Sequence, residues 1–159
     1  MSHIVEAKTK IVCPNLPEFL ALIRQGDDMT IAELPFILLL RQAVTMVASE
    51  YEGELKPYYL DYYQIQHRVN TGLALHIPRQ AGKQALDRGL GLSIDEKTGV
   101  LTCVGDPYRV EEFYEAIQRR IIRTYTTLAY MAAMRLEQFQ HVSVQALQEG
   151  VVISGELYA

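Results

Sequence analysis

Tryptophan is absent, phenylalanine occurs only four times and cysteine only twice. The two thiols, Cys13 and Cys103, lack CxxC spacing and are too few for a disulfide framework, so a reducing compartment is expected. Nor is there an uninterrupted apolar run near the roughly 20 residues that cross a bilayer. The greasiest stretch, Leu34 to Leu40 and then Ala43 to Ala48, is split by Arg41 and Gln42. Positive charge is not in excess either. With 15 basic and 19 acidic residues the net charge is −4, which gives no general pull toward DNA or an anionic membrane. The start, Met1 to Glu6, has neither the basic opening nor the apolar core of a signal peptide, and a cytoplasmic chain is expected. Internal repeats and low-complexity tracts are missing as well.

What remains is ordinary globular material. The chain has 159 residues, 49% hydrophobic and 21% charged. That is the size of one domain with a self-sufficient core. Ser2 to Val12 reads as a strand, broken by Cys13-Pro14-Asn15-Leu16-Pro17. Pro17 suits the first turn of a short helix through Arg24, and Gln25 to Asp28 reads as a loop. Thr30-Ile31-Ala32-Glu33 has the spacing of a capping box, although Pro35 is an alternative starting point for the helix that follows. From Phe36 to about Ser49 that helix is apolar on nearly every face, which fits a core or an interface and not a solvated surface.

Beyond it the order is strand-rich. Ile65 to Val69 and Leu73 to Ile77 read as strands, and Arg79 to Gly91 as a glycine-containing loop. Leu92 to Val104 reads as a hairpin turning at Glu96-Lys97-Thr98-Gly99. Asp106-Pro107 then reads as the cap of a long helix whose apolar stripe runs Val110, Tyr114, Ile117, Ile121, Tyr125, Leu128, Ala132 and Phe139. About 30 residues of helix measure about 45 Å, as long as a domain of this size is wide. A second hairpin, His141 to Val144 and Val151 to Ser154 with its turn at Gln148-Glu149-Gly150, closes the chain. The expected class is α+β: one domain, residues 1–159, with an antiparallel sheet backed by helices on one face.

The opening Met-Ser-His-Ile-Val-Glu-Ala-Lys-Thr-Lys-Ile resembles that of a cyanobacterial and plastid family named hypothetical chloroplast open reading frame thirty-five, a domain of unknown function. Val110-Glu111-Glu112-Phe113, followed by Ile117-Gln118-Arg119-Arg120 and Tyr125 or Tyr130, is similar to its acidic-aromatic helix start and Gln-Arg-aromatic segment. The resemblance covers about the first 24 residues and the chain from about Ile65 onward. The helical, tyrosine-rich stretch at about 25–63 then reads as an insertion. The family brings no catalytic residues with it. What it implies is an accessory role, beside an ATPase of the AAA class.

Five of the ten tyrosines fall between residues 51 and 63. Tyrosine joins a large apolar ring to a polar tip and is enriched in interfaces. The apolar helix and the tyrosines together make Phe36, Leu40, Met46, Tyr51, Tyr58, Tyr59, Tyr62 and Tyr63 the expected contact residues for a protein partner or a second copy. Ala129 to Met134 is a second place where helices could approach closely. Arg119, Arg120 and Arg123 offer a basic helix face for an anionic partner, against the simpler reading of a solvated face with a Glu115–Arg119 pair. Nucleic acid is disfavoured by the net charge.

Signs of chemistry are sparse. The four histidines share no metal-ligand spacing, so no metal and no cofactor is expected. His76 could meet His67 or Cys103 across a sheet, and an alternative enzyme site would combine His76, Arg79 and Lys83 beside the 79–91 loop. Gly82-Lys83 lacks the rest of a phosphate-binding loop, and Gly89-Leu90-Gly91 lacks the third glycine of a dinucleotide fingerprint. The expectation is a non-enzymatic binding or assembly protein, oligomeric or part of a larger complex. A small enzyme and a nucleic-acid accessory factor are the alternatives.

Overall fold

The computed structural model describes residues 3–13, 16–24, 31–136, 139–147 and 150–157. The loop expected at 25–28, the Thr30 end of the capping box and the turn residues 148 and 149 lie outside them. Five strands form one antiparallel sheet in the order β1 (Val5–Val12), β7 (Val100–Gly105), β6 (Leu86–Ile94), β5 (Leu73–Ile77) and β2 (Glu54–Lys56). Strand alternation sorts its two faces. Leu55, Leu75, Leu90, Leu92, Leu101 and Cys103 point to one side, whereas Lys56, Ala74, Gly91, Thr102 and Val104 point to the other.

The first face is covered by helices. They are α1 (Leu16–Arg24), α2 (Pro35–Tyr51) and α3 (Glu111–Leu136), and together with the sheet they enclose the main core. Pro35 occupies the first turn of α2 and Leu34 caps it without a side-chain hydrogen bond, so the helix begins at the proline and Ile31–Glu33 is a separate 3-10 turn. The buried stripe of α2 is Ile37, Leu40, Ala43, Val44, Val47 and Ala48, at the spacing of one helix face. α3 contributes Tyr114, Ile117, Ile121 and Tyr125. Glu50 and Arg120 tie the two helices by a two-pronged ion pair of 2.7 and 3.2 Å. After α3 the chain forms a separate antiparallel hairpin, β8 (Phe139–Leu147) with β9 (Gly150–Leu157).

The second face carries a two-stranded ribbon, β3 (Tyr58–Leu60) with β4 (Gln66–Arg68), and a small core of Tyr59, Val69, Ala74 and Val104. No helix among the described residues is long and apolar enough to cross a membrane. The α+β class, the antiparallel sheet and the long helix followed by a hairpin all appear as the sequence implies.

Within the stretch expected as an insertion at about 25–63, the described residues are built into the domain: α2 supplies the middle of the core and β2 is an edge strand of the main sheet. Two expectations are corrected. Residues 86–91 are strand and not loop. The glycines that disguise them are required by packing. At Gly89, with φ +90°, a Cβ would lie 2.6 Å from Nε2 of His76; at Gly91 one would lie 2.9 Å from Val69. Finally, Asp106 does not cap α3, which starts five residues later at Glu111, with the Tyr114 N–H donating to the Val110 carbonyl at 2.9 Å.

Candidate functional site

Asp106 is buried for a different purpose. One of its carboxylate oxygens accepts the backbone N–H of Tyr62 at 2.9 Å and of His3 at 3.2 Å, and the other accepts that of Tyr108 at 3.3 Å. Arg88 lies beside it, Nη1 3.5 Å from Oδ1, while Nη2 donates to the Tyr108 carbonyl. The carboxylate is thus the meeting point of the N-terminus, the ribbon loop and the β7–α3 connection, three segments far apart in sequence.

A second carboxylate repeats the device within the ribbon. Asp61 accepts the N–H groups of Tyr63 and Ile65 at 2.8 and 3.0 Å on one oxygen and faces Nε2 of His67 at 2.9 Å with the other. The His67 contact, together with the two amides, holds the Asp61 carboxyl below the ordinary carboxylate range. His67 in turn stacks on Tyr59, with ring centroids 5.0 Å apart. The five-residue loop is closed by the Asp61 N–H donating to the Ile65 carbonyl, and Gln64 takes the left-handed conformation at φ 65°.

These two anchors hold an exposed aromatic ridge. Tyr62 meets Tyr63 edge-on at 5.4 Å and Tyr108 edge-on at 5.6 Å, Tyr108 meets His3 at 5.1 Å, and the Arg109 guanidinium lies 5.3 Å from the Tyr108 ring. Tyr62 is 45% exposed, Tyr63 63% and Ile65 57%. The side chains face water while their backbones are pinned from beneath by buried acids. Both carboxylates accept backbone N–H groups and so act as anchors of the ridge.

The contact residues expected from the sequence separate here. Tyr62 and Tyr63 are on the ridge. Leu40 and Tyr59 are corrected to buried, at 0% and 6% exposure. Tyr58 is half-buried with its ring edge-on to His76, and Phe36 is half-buried against Tyr125. Met46 and Tyr51 are exposed on α2, Tyr51 against Phe113. Of the basic trio, Arg120 is taken by Glu50, while Arg119 and Arg123 are exposed on α3.

The alternative enzyme site is not assembled. Arg79 and Lys83 border a cleft of about 470 Å³ at the start of α3 together with Arg109, Glu111 and Glu112, and His76 is not among its walls. There Arg79 pairs with Asp87 and Lys83 with Glu52, each at 3.7 Å. His76 is buried under the ribbon, its Nε2 2.7 Å from the Tyr58 carbonyl and its Nδ1 3.2 Å from that of Asp87, which makes it a strut. Cys103 cannot meet it, because the thiol points to the helix side, where burial pushes its pKa up to about 12. Among the described residues no group of three or more His, Cys, Asp or Glu side chains could hold a metal ion.

Sequence reasoning gave no site role to His3, Asp61, Ile65 and Tyr108, and read Asp106 only as a helix cap. Asp61 and Asp106 each accept the N–H two residues on, a local turn signature that Asp-Tyr-Tyr and Asp-Pro-Tyr do carry. The bonds from Asp106 to His3 and Tyr62 span 103 and 44 residues and leave no local trace. No family model, curated protein or solved structure matches the chain.

Proposed function

We propose that this chain is a non-enzymatic binding or assembly protein that presents the ridge of His3, Tyr62, Tyr63, Ile65 and Tyr108 to a protein partner. The observation that carries this reading is the pairing of exposed rings with a backbone fixed by Asp61 and Asp106. Tyrosine gives large contact area with few rotatable bonds, and a backbone already held in place loses little further freedom on binding. Interfaces concentrate their energy in such central aromatic anchors. The accessory role beside an AAA-class ATPase, implied by the resemblance, is compatible with a chain that offers a fixed contact ridge. Cys13 and Cys103 are both buried thiols, which supports a cytoplasmic setting.

The test is quantitative co-purification from the native host with the wild-type chain and with a Tyr62→Ala/Tyr63→Ala variant whose folding is checked by circular dichroism. The expected result is one stoichiometric protein partner, with affinity reduced by about thirtyfold or more in the folded variant. An identical partner set for both chains would remove the ridge from the reading.

A further inference from the structure

β1 is an edge of the main sheet, and among the described residues no strand lies beyond it. It is eight residues long, whereas the opposite edge, β2, has three. Ile4, Val5 and Val12 are exposed along it. A long edge of this kind is a template for another strand. Two features restrict which strand can use it.

One is a bulge. The ladder to β7 is regular from Val5 to Lys8 and then shifts before Val12. The Thr9 hydroxyl donates to the Leu101 carbonyl at 2.7 Å and accepts the Ile11 N–H at 3.1 Å, which diverts the backbone. Pairing is therefore limited to the regular half. The other is charge. That half carries Glu6 and Lys8, both exposed and on the same face of the sheet, opposite the helices.

We propose that β1 pairs antiparallel with β1 of a second copy across a twofold axis at Ala7, joining the two sheets into one. Keeping each side chain on its own face allows the axis to sit only at a residue position. An axis at Glu6 sets that carboxylate against itself, and one at Lys8 sets two ammonium groups together and drives the bulge into the join. At Ala7 each Glu6 faces Lys8 of the other copy, twice over, and Ala7 meets Ala7. Opposite charges directly across a strand pair stabilise it and like charges destabilise it. Beside this edge, a groove of about 400 Å³ between β1 and α3 is bordered by Val5, Ala7, Glu115 and Arg119. The same axis brings α3 of the second copy to that seam, with a carboxylate and a guanidinium from each helix.

Sedimentation equilibrium tests the proposal. The wild-type chain is expected at twice its 18.0 kDa mass. Glu6→Lys replaces both attractive pairs by repulsive ones and is expected to raise the dimer dissociation constant by about tenfold or more. The exchange Glu6→Lys/Lys8→Glu restores the pairs and is expected to restore the dimer. A monomeric wild-type chain, a dimer indifferent to Glu6→Lys, or an exchange variant that stays monomeric each overturns it. The proposal stands apart from the ridge: Tyr62→Ala/Tyr63→Ala leaves the mass unchanged, and the Glu6 and Lys8 variants leave ridge binding to a different protein in place.

Discussion

On the helix side of the sheet, Leu75, Leu90, Leu92 and Leu101 meet Ile37, Leu40, Ile117 and Ile121; on the ribbon side, Ala74, Gly91 and Val104 meet Tyr59 and Val69 within a frame of hydrogen bonds from His76, Asp61 and Asp106. Apolar packing is strong but has no direction, so it fixes that elements meet more firmly than where a given atom lies. Hydrogen bonds to buried carboxylates are directional, and leaving one unmade is costly. The helix side therefore supplies most of the stability. The ribbon side places exposed rings at fixed positions, which stability alone does not require.

The largest expected effect lies on the ribbon side. Asp106→Ala strands the Arg88 guanidinium in a buried site and releases the N–H groups of Tyr62, His3 and Tyr108. A loss of about 4 kcal/mol is expected in denaturant unfolding, together with large changes in the NMR shifts of the Tyr62 and Tyr108 amides. Adding Arg88→Met removes the stranded charge and recovers a large part of the stability without restoring the ridge. Equal losses in the single and double variants would show that the charge pair is not the cause.

On the helix side, Leu40→Ala leaves a cavity beneath α2 and is expected to cost about 3 kcal/mol. The NMR shifts of its Tyr62, Tyr63 and Tyr108 amides should match those of the wild type, because Leu40 lies in the core on the other face of the sheet. Leu40→Met should cost less than about 1.5 kcal/mol. A changed ridge spectrum in Leu40→Ala would erase the contrast between the faces.

Gly89→Ala tests the join between them. The new methyl group would enter the His76 ring at a backbone conformation unfavourable to alanine. A loss of about 2 kcal/mol is expected. Faster amide exchange should concentrate in β3 and β4, whose Tyr58 carbonyl rests on that ring. Uniform acceleration across β5 and β7 would instead mean that the ribbon and sheet open as one unit.

Much of the helix side was legible because apolar periodicity survives in the chain: the stripe on α3 and the alternation in β7 are local patterns. α2 was legible as a helix, but core and interface could not be told apart, since Leu38 and Met46 are apolar and exposed on the side away from its buried stripe. The ribbon side was poorly legible. Gly89 and Gly91 read as loop because the partners that demand glycine, His76, Tyr59 and Val69, come from other strands. The tyrosine cluster pointed to the correct neighbourhood, but Tyr59 faces inward and Tyr62 and Tyr63 outward. Only the strand pairing and the Asp106 contact decide that.

The smallest effect separates the two anchors by pH. In Asp61, the His67 contact and the amides of Tyr63 and Ile65 favour the ionised carboxyl, so its pKa in the folded chain lies below the ordinary value of 3.8. A group depressed in this way contributes its full stabilisation above that ordinary value and loses it as pH falls through the lower, folded one. The contribution of Asp61 to the loop of residues 61–65 should thus be fully present at neutral pH and be lost only at strongly acid pH. NMR shifts of the Tyr63 and Ile65 amides, followed through an acid titration, report the step directly. Asp61→Asn removes the titrating group, and its amides should show no step in that range. A step of the same size in the variant would assign the acid sensitivity to another carboxylate and leave Asp106 as the principal acid that fixes the ridge.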